Sequence, residues 1–307
     1  MKRIGIIFIG VFLTVTLVLV SGCYGSDLQP KDIYKKHIAL ASSSEKYENS
    51  YTEYIANEKS GAVITVYSAF EYRNNKGSHS YTETSVSGII LNNDGYILTS
   101  GNAVRSFAAD QASSLQYIEA SSYQIMLNPI YEDEKYYRAK LIDYDETLNI
   151  AVLKFFDNFF YYTDTDNERA EKGFQFKAEF YDARDSLKTG DYCAFVGDAL
   201  GMGVAITAGV ISSNKMSVLG GIVFNNTEYF YIQSSAALNS EMLGGALYDK
   251  NGYIIGMAST KVSSDTDNTT FNKVGLALPS ACVIDYINTL ADDLQLVIEF
   301  TVAEAEV

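Results

Sequence analysis

The sequence predicts an all-β protein, and three features of its pattern carry that prediction. From Gly61 onwards, short apolar segments rich in Val, Ile and Tyr recur between turn signals, which is typical of strands. Asp94-Gly95 and Asn251-Gly252 each separate two such segments and favour hairpin turns, of the tight type I′ at Asn251-Gly252. A helical repeat is strong only at 281–298. Regular short strands with so little helix indicate a barrel or a sandwich.

The predicted strands follow one another in short steps along the chain. They cover 61–69, the hairpin 85–100, two strands within 139–155, then 191–197, 203–213, 222–233 and the hairpin that ends the segment 229–260. Between the two groups of strands, 156–187 is aromatic and acidic, and we expect a linker and an insertion there. Residues 24–60 are polar and rich in Ser, Glu, Lys and Tyr, which predicts a tether ahead of the first strand.

The N-terminus predicts export. Lys2-Arg3 precede a run from Ile4 to Val20 that is interrupted only by threonines and glycines, which is the pattern of a signal peptide. The following Val20-Ser21-Gly22-Cys23 resembles a bacterial lipobox, and this resemblance implies that Cys23 becomes the lipidated first residue of the mature protein. The alternative is an uncleaved membrane anchor, since the apolar run is nearly long enough to span a bilayer. Both place the chain outside the cytoplasmic membrane, extracellular or periplasmic, with the lipid bilayer as a partner.

The composition excludes several function classes. A net charge of −15 argues against a nucleic-acid partner and against electrostatic docking on anionic lipid. The two histidines and the cysteines show no zinc-ligand spacing, and no phosphate-binding glycine motif follows a strand, so we expect neither a metal nor a cofactor. Cys193 and Cys282 stand in apolar stretches and predict two unpaired core cysteines, although an exported compartment would permit a disulfide between them.

Several blocks of the chain resemble one protein family in the same order. Residues 229–260 resemble the nucleophile segment of trypsin-like serine proteases of the bacterial HtrA/Deg type, and further blocks at 87–100, 188–201, 207–212 and 274–280 resemble other parts of that protease domain. Within the nucleophile segment, the residues in register are Ile232-Gln233, Ala236-Ala237-Leu238-Asn239, Gly244-Gly245-Ala246-Leu247 and Ile255-Gly256.

This resemblance implies two six-stranded antiparallel β-barrels followed by a C-terminal helix, with no room for a PDZ domain. It divides the chain into a lipoprotein signal peptide (1–22), a polar tether (23–60), a first β-barrel (61–160), a linker with an insertion (161–187), a second β-barrel (188–280), and the C-terminal helix with its tail (281–307).

The same resemblance places the catalytic positions on residues that cannot perform the chemistry. The histidine position is Asn102, the aspartate position is Asn149, and the serine position is Leu243. Glu241 replaces the glycine whose N–H helps to bind the oxyanion. Serine protease chemistry needs a hydroxyl nucleophile and a base that takes its proton, and an amide is not such a base. The sequence therefore predicts a pseudoprotease with no catalytic residues.

The resulting hypothesis is an exported lipoprotein that binds a peptide or protein at the cell envelope. In the resembled family a substrate strand adds beside the second barrel, which here corresponds to 229–235 and 207–213. The candidate peptide-binding residues are Ile232, Gln233, Ser234, Met242 and Leu243, of which the last two would form an apolar floor or merely fill a dead cavity.

Two alternatives stay open. The first is an active serine endopeptidase or other hydrolase with a rebuilt site, although His37 and His79 lie away from the matched catalytic positions. The second is a surface adhesion protein that uses the aromatic insertion 156–181 as its interface. In the second case the competing interpretation is that the aromatic rings pack onto the barrels.

Overall fold

The computed structural model describes residues 51–73, 79–107, 117–127, 136–156, 161–163, 169–171, 174, 176–199, 203–215, 221–259 and 275–303. The predicted signal peptide, Cys23 and the predicted tether up to residue 50 lie outside these ranges.

Within the described ranges, eight strands precede the aromatic segment. They are β1 (Val63–Arg73), β2 (His79–Ile90), β3 (Tyr96–Ser100), β4 (Arg105–Phe107), β5 (Tyr117–Glu119), β6 (Ser122–Met126), β7 (Tyr136–Asp145) and β8 (Ile150–Phe155). Strands β1, β2, β3, β8, β7 and β6 close on one another in that order as an antiparallel barrel, while β4 and β5 form a separate ribbon. Because side chains alternate along a strand, Ile64 and Val66 of β1 point into this barrel, where they are fully buried.

Twelve further strands follow in the described ranges. They are β9 (Tyr161–Thr163), β10 (Arg169–Glu171), β11 (Glu179–Tyr181), β12 (Tyr192–Asp198), β13 (Val204–Ser213), β14 (Ile222–Phe224), β15 (Thr227–Tyr229), β16 (Ile232–Ser234), β17 (Ala246–Asp249), β18 (Ile254–Ala258), β19 (Gly275–Pro279) and β20 (Thr301–Ala303). Strands β17, β12, β13, β16, β19 and β18 close into the second barrel, and β11 and β20 extend it in parallel from β18. The prediction of two six-stranded antiparallel barrels is confirmed.

The largest apolar cluster joins the two barrels. It contains Leu98 and Val152 of the first barrel, Val196 and Tyr248 of the second, and residues of the C-terminal helix. The barrels therefore share a core, which fixes the position of the loops that meet between them.

The hairpin turn predicted at Asp94-Gly95 is present, whereas the turn at Asn251-Gly252 is not the tight type I′ turn that the sequence predicts. At both sites a four-residue turn forms, in which the N–H of Gly95 donates to Asn92 O (3.3 Å) and that of Gly252 to Asp249 O (3.1 Å). The glycines alone take the left-handed conformation, with φ of 79° and 81°. The two-residue turn with both φ positive lies instead at Asn225-Asn226 (48° and 61°), between β14 and β15. The single strand predicted over 222–233 is therefore wrong, because asparagine tolerates this conformation and the chain reverses there.

The last part of the predicted tether is folded onto the second barrel. Helix α1 (Tyr51–Tyr54) continues into a π-helical turn at Ile55–Lys59 and a 3-10 turn at Ser60–Ala62. Ile55 is fully buried, and the Tyr248 hydroxyl donates to Lys59 O (3.0 Å). Lys59 Nζ also lies 2.6 Å from Glu179 Oε2. A tether that reaches residue 60 is thus wrong, since the aromatic and aliphatic side chains in this stretch supply a buried face.

The C-terminal helix is shorter than the sequence predicts. Helix α2 covers Ser280–Leu294 and ends at Gln295, which takes a left-handed φ of 52°. The expected continuation to 298 is wrong because the apolar side chains that follow alternate with a period of two. Ile298 is buried and Phe300 packs edge-on against Phe180, so this stretch is extended and leads into β20.

The described aromatic side chains of the linker mostly pack inward. Phe174 contacts Phe155 with ring centroids 5.6 Å apart, and Phe180 is fully buried. Phe156 is an exception, being 59% exposed with the Arg138 guanidinium 5.4 Å from its ring. Cys193 and Cys282 are both buried and free, which confirms two unpaired core cysteines. No helix in the described part of the chain is long and apolar enough to cross a membrane.

Candidate active site

Two loops of the first barrel meet at the predicted histidine and aspartate positions. After β3, the chain makes a 3-10 turn over Gly101–Ala103, capped by the Ser100 hydroxyl, which accepts from Asn102 N (3.2 Å). The turn before β8 ends at Asn149, whose φ of 53° is left-handed, and Gly101 N donates to Asn149 O (2.9 Å). Asparagine is among the few residues that adopt this φ at low cost. The two backbones are therefore held together.

The two side chains at these positions are joined as an amide pair. Asn149 Nδ2 donates to Asn102 Oδ1 at 3.0 Å and lies 3.4 Å from Ser100 Oγ. Asn149 is buried, whereas Asn102 is exposed. Because Asn102 accepts through its oxygen, its own amide nitrogen is directed away from Asn149. The buried Asn149 still orients the exposed Asn102, as an aspartate would orient a histidine. Neither amide can act as a general base near neutral pH.

An ion pair supports these loops from outside. Arg105, which follows the Asn102 turn, lies 2.8 Å from Glu146, which begins the turn that ends at Asn149. The Glu146 side chain is exposed, so the pair contributes little to stability by itself. It nevertheless links the same two loops that the amide pair joins.

The predicted nucleophile position lies in a tight turn whose backbone N–H groups donate to acceptors within the same turn. Ser240–Met242 form a 3-10 turn capped by Asn239, whose Oδ1 accepts from Met242 N (2.9 Å). Leu243 N lies 3.4 Å from Ser240 O, and Gly245 N donates to Met242 O (3.0 Å).

Gly244 brings this turn against the first barrel. Its N–H donates to Ala258 O (2.8 Å) and its φ is 85°. A Cβ at this position would lie 2.3 Å from Ser87 O and 2.5 Å from Ser100 N. Only glycine fits, and Leu243 consequently lies beside the strand end that carries the amide pair. The structure thus brings the three predicted triad positions to one place.

Ser87 is a site residue that sequence reasoning missed. Its hydroxyl donates to Glu241 O (2.9 Å) and accepts from Asp198 N (2.7 Å), and its own N–H donates to Leu243 O (2.9 Å). Ser87 is fully buried. One serine among the several Ser and Thr residues of β2 carries no sequence signal for such a bridge. It fastens strand β2 of the first barrel to two segments of the second.

The candidate peptide-binding residues are less available than the sequence predicts. Strand β16, which holds Ile232, Gln233 and Ser234, pairs with β13 on one side and β19 on the other. An added strand would find no free edge there. Met242 is 2% exposed within the second-barrel core, and Leu243 is 3% exposed. These two side chains fill the position rather than offer an apolar floor.

Glu241 has an unusual environment for a carboxylate. Its backbone oxygen accepts from Ser87, but its side-chain Oε2 is buried and has no hydrogen-bond partner in the described part of the chain. The residue itself is half-buried. Within the described ranges no group of His, Cys, Asp and Glu is arranged to hold a metal ion.

The histidine in the described ranges, His79, does not supply a replacement base at this place. His79 begins strand β2, opposite Arg73. It is separated from Ser87 by about 26 Å of extended strand at roughly 3.3 Å per residue. His37 lies outside the described residues.

Comparison with known proteins identifies the family. A family model described as a trypsin-like peptidase domain matches residues 86–257, more than half of the chain. The chain belongs to the trypsin-like peptidase family. A probable periplasmic serine endoprotease, DegP-like, of Bartonella henselae is 26% identical over 208 residues, covering 67% of this chain and 33% of that protein. The periplasmic serine endoprotease DegP of Escherichia coli K12 is 34% identical over 99 residues, covering 32% of this chain and 19% of DegP.

Solved structures give the same picture of this trypsin-like peptidase fold. A variant of the HtrA-type protease AlgW with decapeptide superposes with a TM-score of 0.56 at 23% identity, covering 80% of this chain and 68% of that chain. At this identity the likeness concerns the fold alone. The chain spans about a third or less of the length of the curated relatives named above. The predicted resemblance to HtrA-type protease domains is confirmed.

Proposed function

We propose that this trypsin-like peptidase homologue is catalytically inactive and acts at the cell envelope by binding a peptide or protein. The observation that carries the first part is the amide pair Asn149–Asn102 (3.0 Å) at the positions of the orienting aspartate and the histidine base. Leu243, buried beside them, offers no hydroxyl or thiol. Loss of the serine or the histidine alone typically costs about six orders of magnitude in rate.

The backbone of the turn adds a second obstacle. An oxyanion needs N–H donors that are free to point at it. Of the two donor positions that the resemblance gives, residues 241 and 243, the N–H of Leu243 faces Ser240 O at 3.4 Å. The neighbouring N–H groups of Met242, Gly244 and Gly245 also donate within the protein. The carboxylate of Glu241 would oppose a negative charge forming nearby. A serine at residue 243 would therefore lack one of the two oxyanion donors as long as the turn keeps this conformation.

Fluorophosphonate labelling of residues 24–307, the chain without the signal peptide and Cys23, tests inactivity when it is read by mass spectrometry. We expect no adduct on the folded wild type or on Leu243→Ser, because that variant gains a hydroxyl but no base. An active trypsin-like protease serves as the positive control, and casein turnover is measured in parallel. A stoichiometric adduct on any serine of the wild type would mean that a nucleophile has been rebuilt and would overturn this part of the proposal.

Support for binding comes from the fold and from the rim of the site. The structural neighbour AlgW has a decapeptide in its structure, so this fold holds peptides in at least one relative. Here Asn102 and Glu241 face the rim of the site, the first exposed and the second half-buried. Leu243→Glu is a poor probe of this cleft, since at 3% exposure it would bury a charge and unfold the turn. Glu241→Arg reverses a charge at the rim with less disturbance.

A randomised decapeptide library tests the binding part. We expect the immobilised wild-type chain to enrich a consistent sequence class that Glu241→Arg fails to retain. Glu58→Arg, an exposed residue of the segment before β1, is the matched control and should behave as wild type. If no peptide is enriched above a chain unfolded in urea, or if both variants enrich the same class, the cleft does not bind peptides.

The proposal includes a lipid anchor at Cys23. It rests on the lipobox-like Val20-Ser21-Gly22-Cys23, since the described residues begin at Tyr51. Metabolic labelling with a palmitate analogue in a bacterial host should mark the wild type and not Cys23→Ser. Cys282→Ser, which changes a buried thiol, is the control that keeps the label. A labelled Cys23→Ser chain would refute the anchor.

A further inference from the structure

The first barrel carries a groove that belongs to none of the triad positions. It has a volume of about 180 Å³ and lies where strands β2, β1, β6 and β7 run side by side. Its lining includes the side chains of Tyr67, Ala69, Tyr81, Glu83, Ser122 and Tyr136.

The groove follows from the strand register. Ala69 of β1 is paired with Glu83 of β2 on one side and with Ser122 of β6 on the other. Directly paired residues project to the same face of a sheet, so two small side chains lie next to each other on the outer face. Tyrosines surround them on the same face, which leaves a hollow with a small-residue floor and aromatic walls.

Two of the rings that form the walls contact each other, and two of the rings are exposed to solvent. Tyr67 and Tyr136 contact edge-to-face with ring centroids 5.6 Å apart. Tyr136 is 56% exposed and Tyr81 is 58% exposed. The Tyr81 hydroxyl donates to Glu83 Oε1 at 2.7 Å, which holds a carboxylate at the edge of the groove.

The electrostatic environment of the groove is negative. Burial raises the pKa of Tyr67, and the charge of Asp198 adds to that effect. The hydrogen bond to Glu83 raises the pKa of Tyr81, to which Glu71 contributes. Three carboxylates therefore act on the rings of the groove.

The described lining of the groove offers no positive charge against this negative environment. No lysine or arginine is among the described residues that line the groove. Arg138, the basic residue two positions along β7 from Tyr136, has its guanidinium 5.4 Å from the Phe156 ring instead.

We propose that this groove binds an organic cation, either a quaternary ammonium group or a basic side chain presented by a partner. Aromatic rings attract cations through their negative faces, and a carboxylate at the edge adds direct charge attraction. The chain's net charge of −15 favours approach of the same class of ligand. A neutral or anionic ligand would gain the hydrophobic contact and lose the electrostatic part.

Amide chemical-shift titrations of the mature chain test the proposal with matched probes. The cationic probe is choline, and its neutral carbon isostere is 3,3-dimethylbutan-1-ol. A pentapeptide with a central trimethyllysine between glycines represents a partner-borne cation. We expect choline or the peptide to shift resonances of β1, β2 and β7 and to bind at least about threefold more tightly than the neutral isostere.

Variants then assign the site. Tyr136→Leu and Glu83→Gln should each weaken binding of the cation by about threefold to tenfold. Tyr192→Leu removes a tyrosine that is 65% exposed on the second barrel and should leave the affinity unchanged. Saturation by choline assigns a free small-molecule cation, and saturation by the peptide alone assigns a side chain of a partner. Equal binding of the neutral isostere, or no saturable shift from either cation at about 10 mM, would overturn the proposal.

Discussion

Replacing Ser87 by alanine removes the hydroxyl that fastens the two barrels beside the candidate active site. The hydroxyl accepts from Asp198 N (2.7 Å) and donates to Glu241 O (2.9 Å), and both bonds cross from strand β2 to the second barrel. Alanine occupies less space than serine, so the change adds no steric conflict. It leaves one buried backbone donor and one acceptor without their partner.

The magnitude follows from those two groups. An unsatisfied buried polar group costs about 1–3 kcal/mol. Water that enters the space would recover part of this, so we expect a loss of about 2–4 kcal/mol in the free energy of unfolding. Since natural domains are stable by about 5–15 kcal/mol, this loss would be easy to measure.

Urea unfolding of wild type and Ser87→Ala, followed by far-ultraviolet circular dichroism, measures the loss. The chain has no tryptophan, so tyrosine emission is the available fluorescence probe. Ser186→Ala is the control, because Ser186 is exposed and accepts from Tyr181 at the surface (3.0 Å). We expect the control to lie within about 0.5 kcal/mol of wild type. A Ser87→Ala chain as stable as the control would show that the hydroxyl does not hold the barrels together.

Three other predictions follow from the same contacts. The triple variant Asn102→His, Asn149→Asp and Leu243→Ser should stay unlabelled by fluorophosphonate, because the turn still directs the N–H of residue 243 at Ser240 O; stoichiometric labelling would refute the closed turn. Burial raises the pKa of Tyr229 and Tyr231 to about 12, from the usual 10.0, so the unfolded chain loses these protons first. The urea midpoint should therefore fall as pH rises above about 10, less so in Tyr231→Phe, and an unchanged midpoint would contradict this. Phe180→Ala should lower the free energy of unfolding by about 3–5 kcal/mol, since Phe180 is fully buried. Phe156→Ala, which changes an exposed ring, should lower it by less than about 1 kcal/mol. Similar losses in the two variants would contradict the packing of this segment.

The sequence predicts the barrels well because their signals are local. Short apolar runs such as that at the start of β1 indicate a buried strand, and the glycines at 95 and 252 indicate where the chain turns. The type of turn is less predictable, since turns in which only the glycine has a positive φ and turns in which both central residues do are built from the same residue types. Asn225-Asn226 makes the tight turn although no glycine marks it.

Other features depend on distant partners and leave no local signal. The sequence of residues 51–60 predicts a polar tether because their partners, Tyr248 and Glu179, lie far along the chain. The segment folds because it covers the surface that these partners provide. The two-sided pairing of β16 likewise depends on β13 and β19, which a motif within 229–235 cannot reveal. In the same way, nothing beside Ser87 in the chain predicts that it bonds to both Asp198 and Glu241.

The candidate site shows why the frame of a protease can outlast its chemistry. Gly244 is required by its φ and by the backbone of Ser87 and Ser100, whether or not residue 243 is a nucleophile. The bonds of Ser87 are made to backbone atoms of residues 241 and 243, so they do not require a particular functional group on either side chain. On the proposed function, the turn no longer serves catalysis and still joins the barrels. Residues that hold the backbone, Asn149 with its left-handed φ among them, should then resist substitution more than the side chains of Asn102 and Leu243.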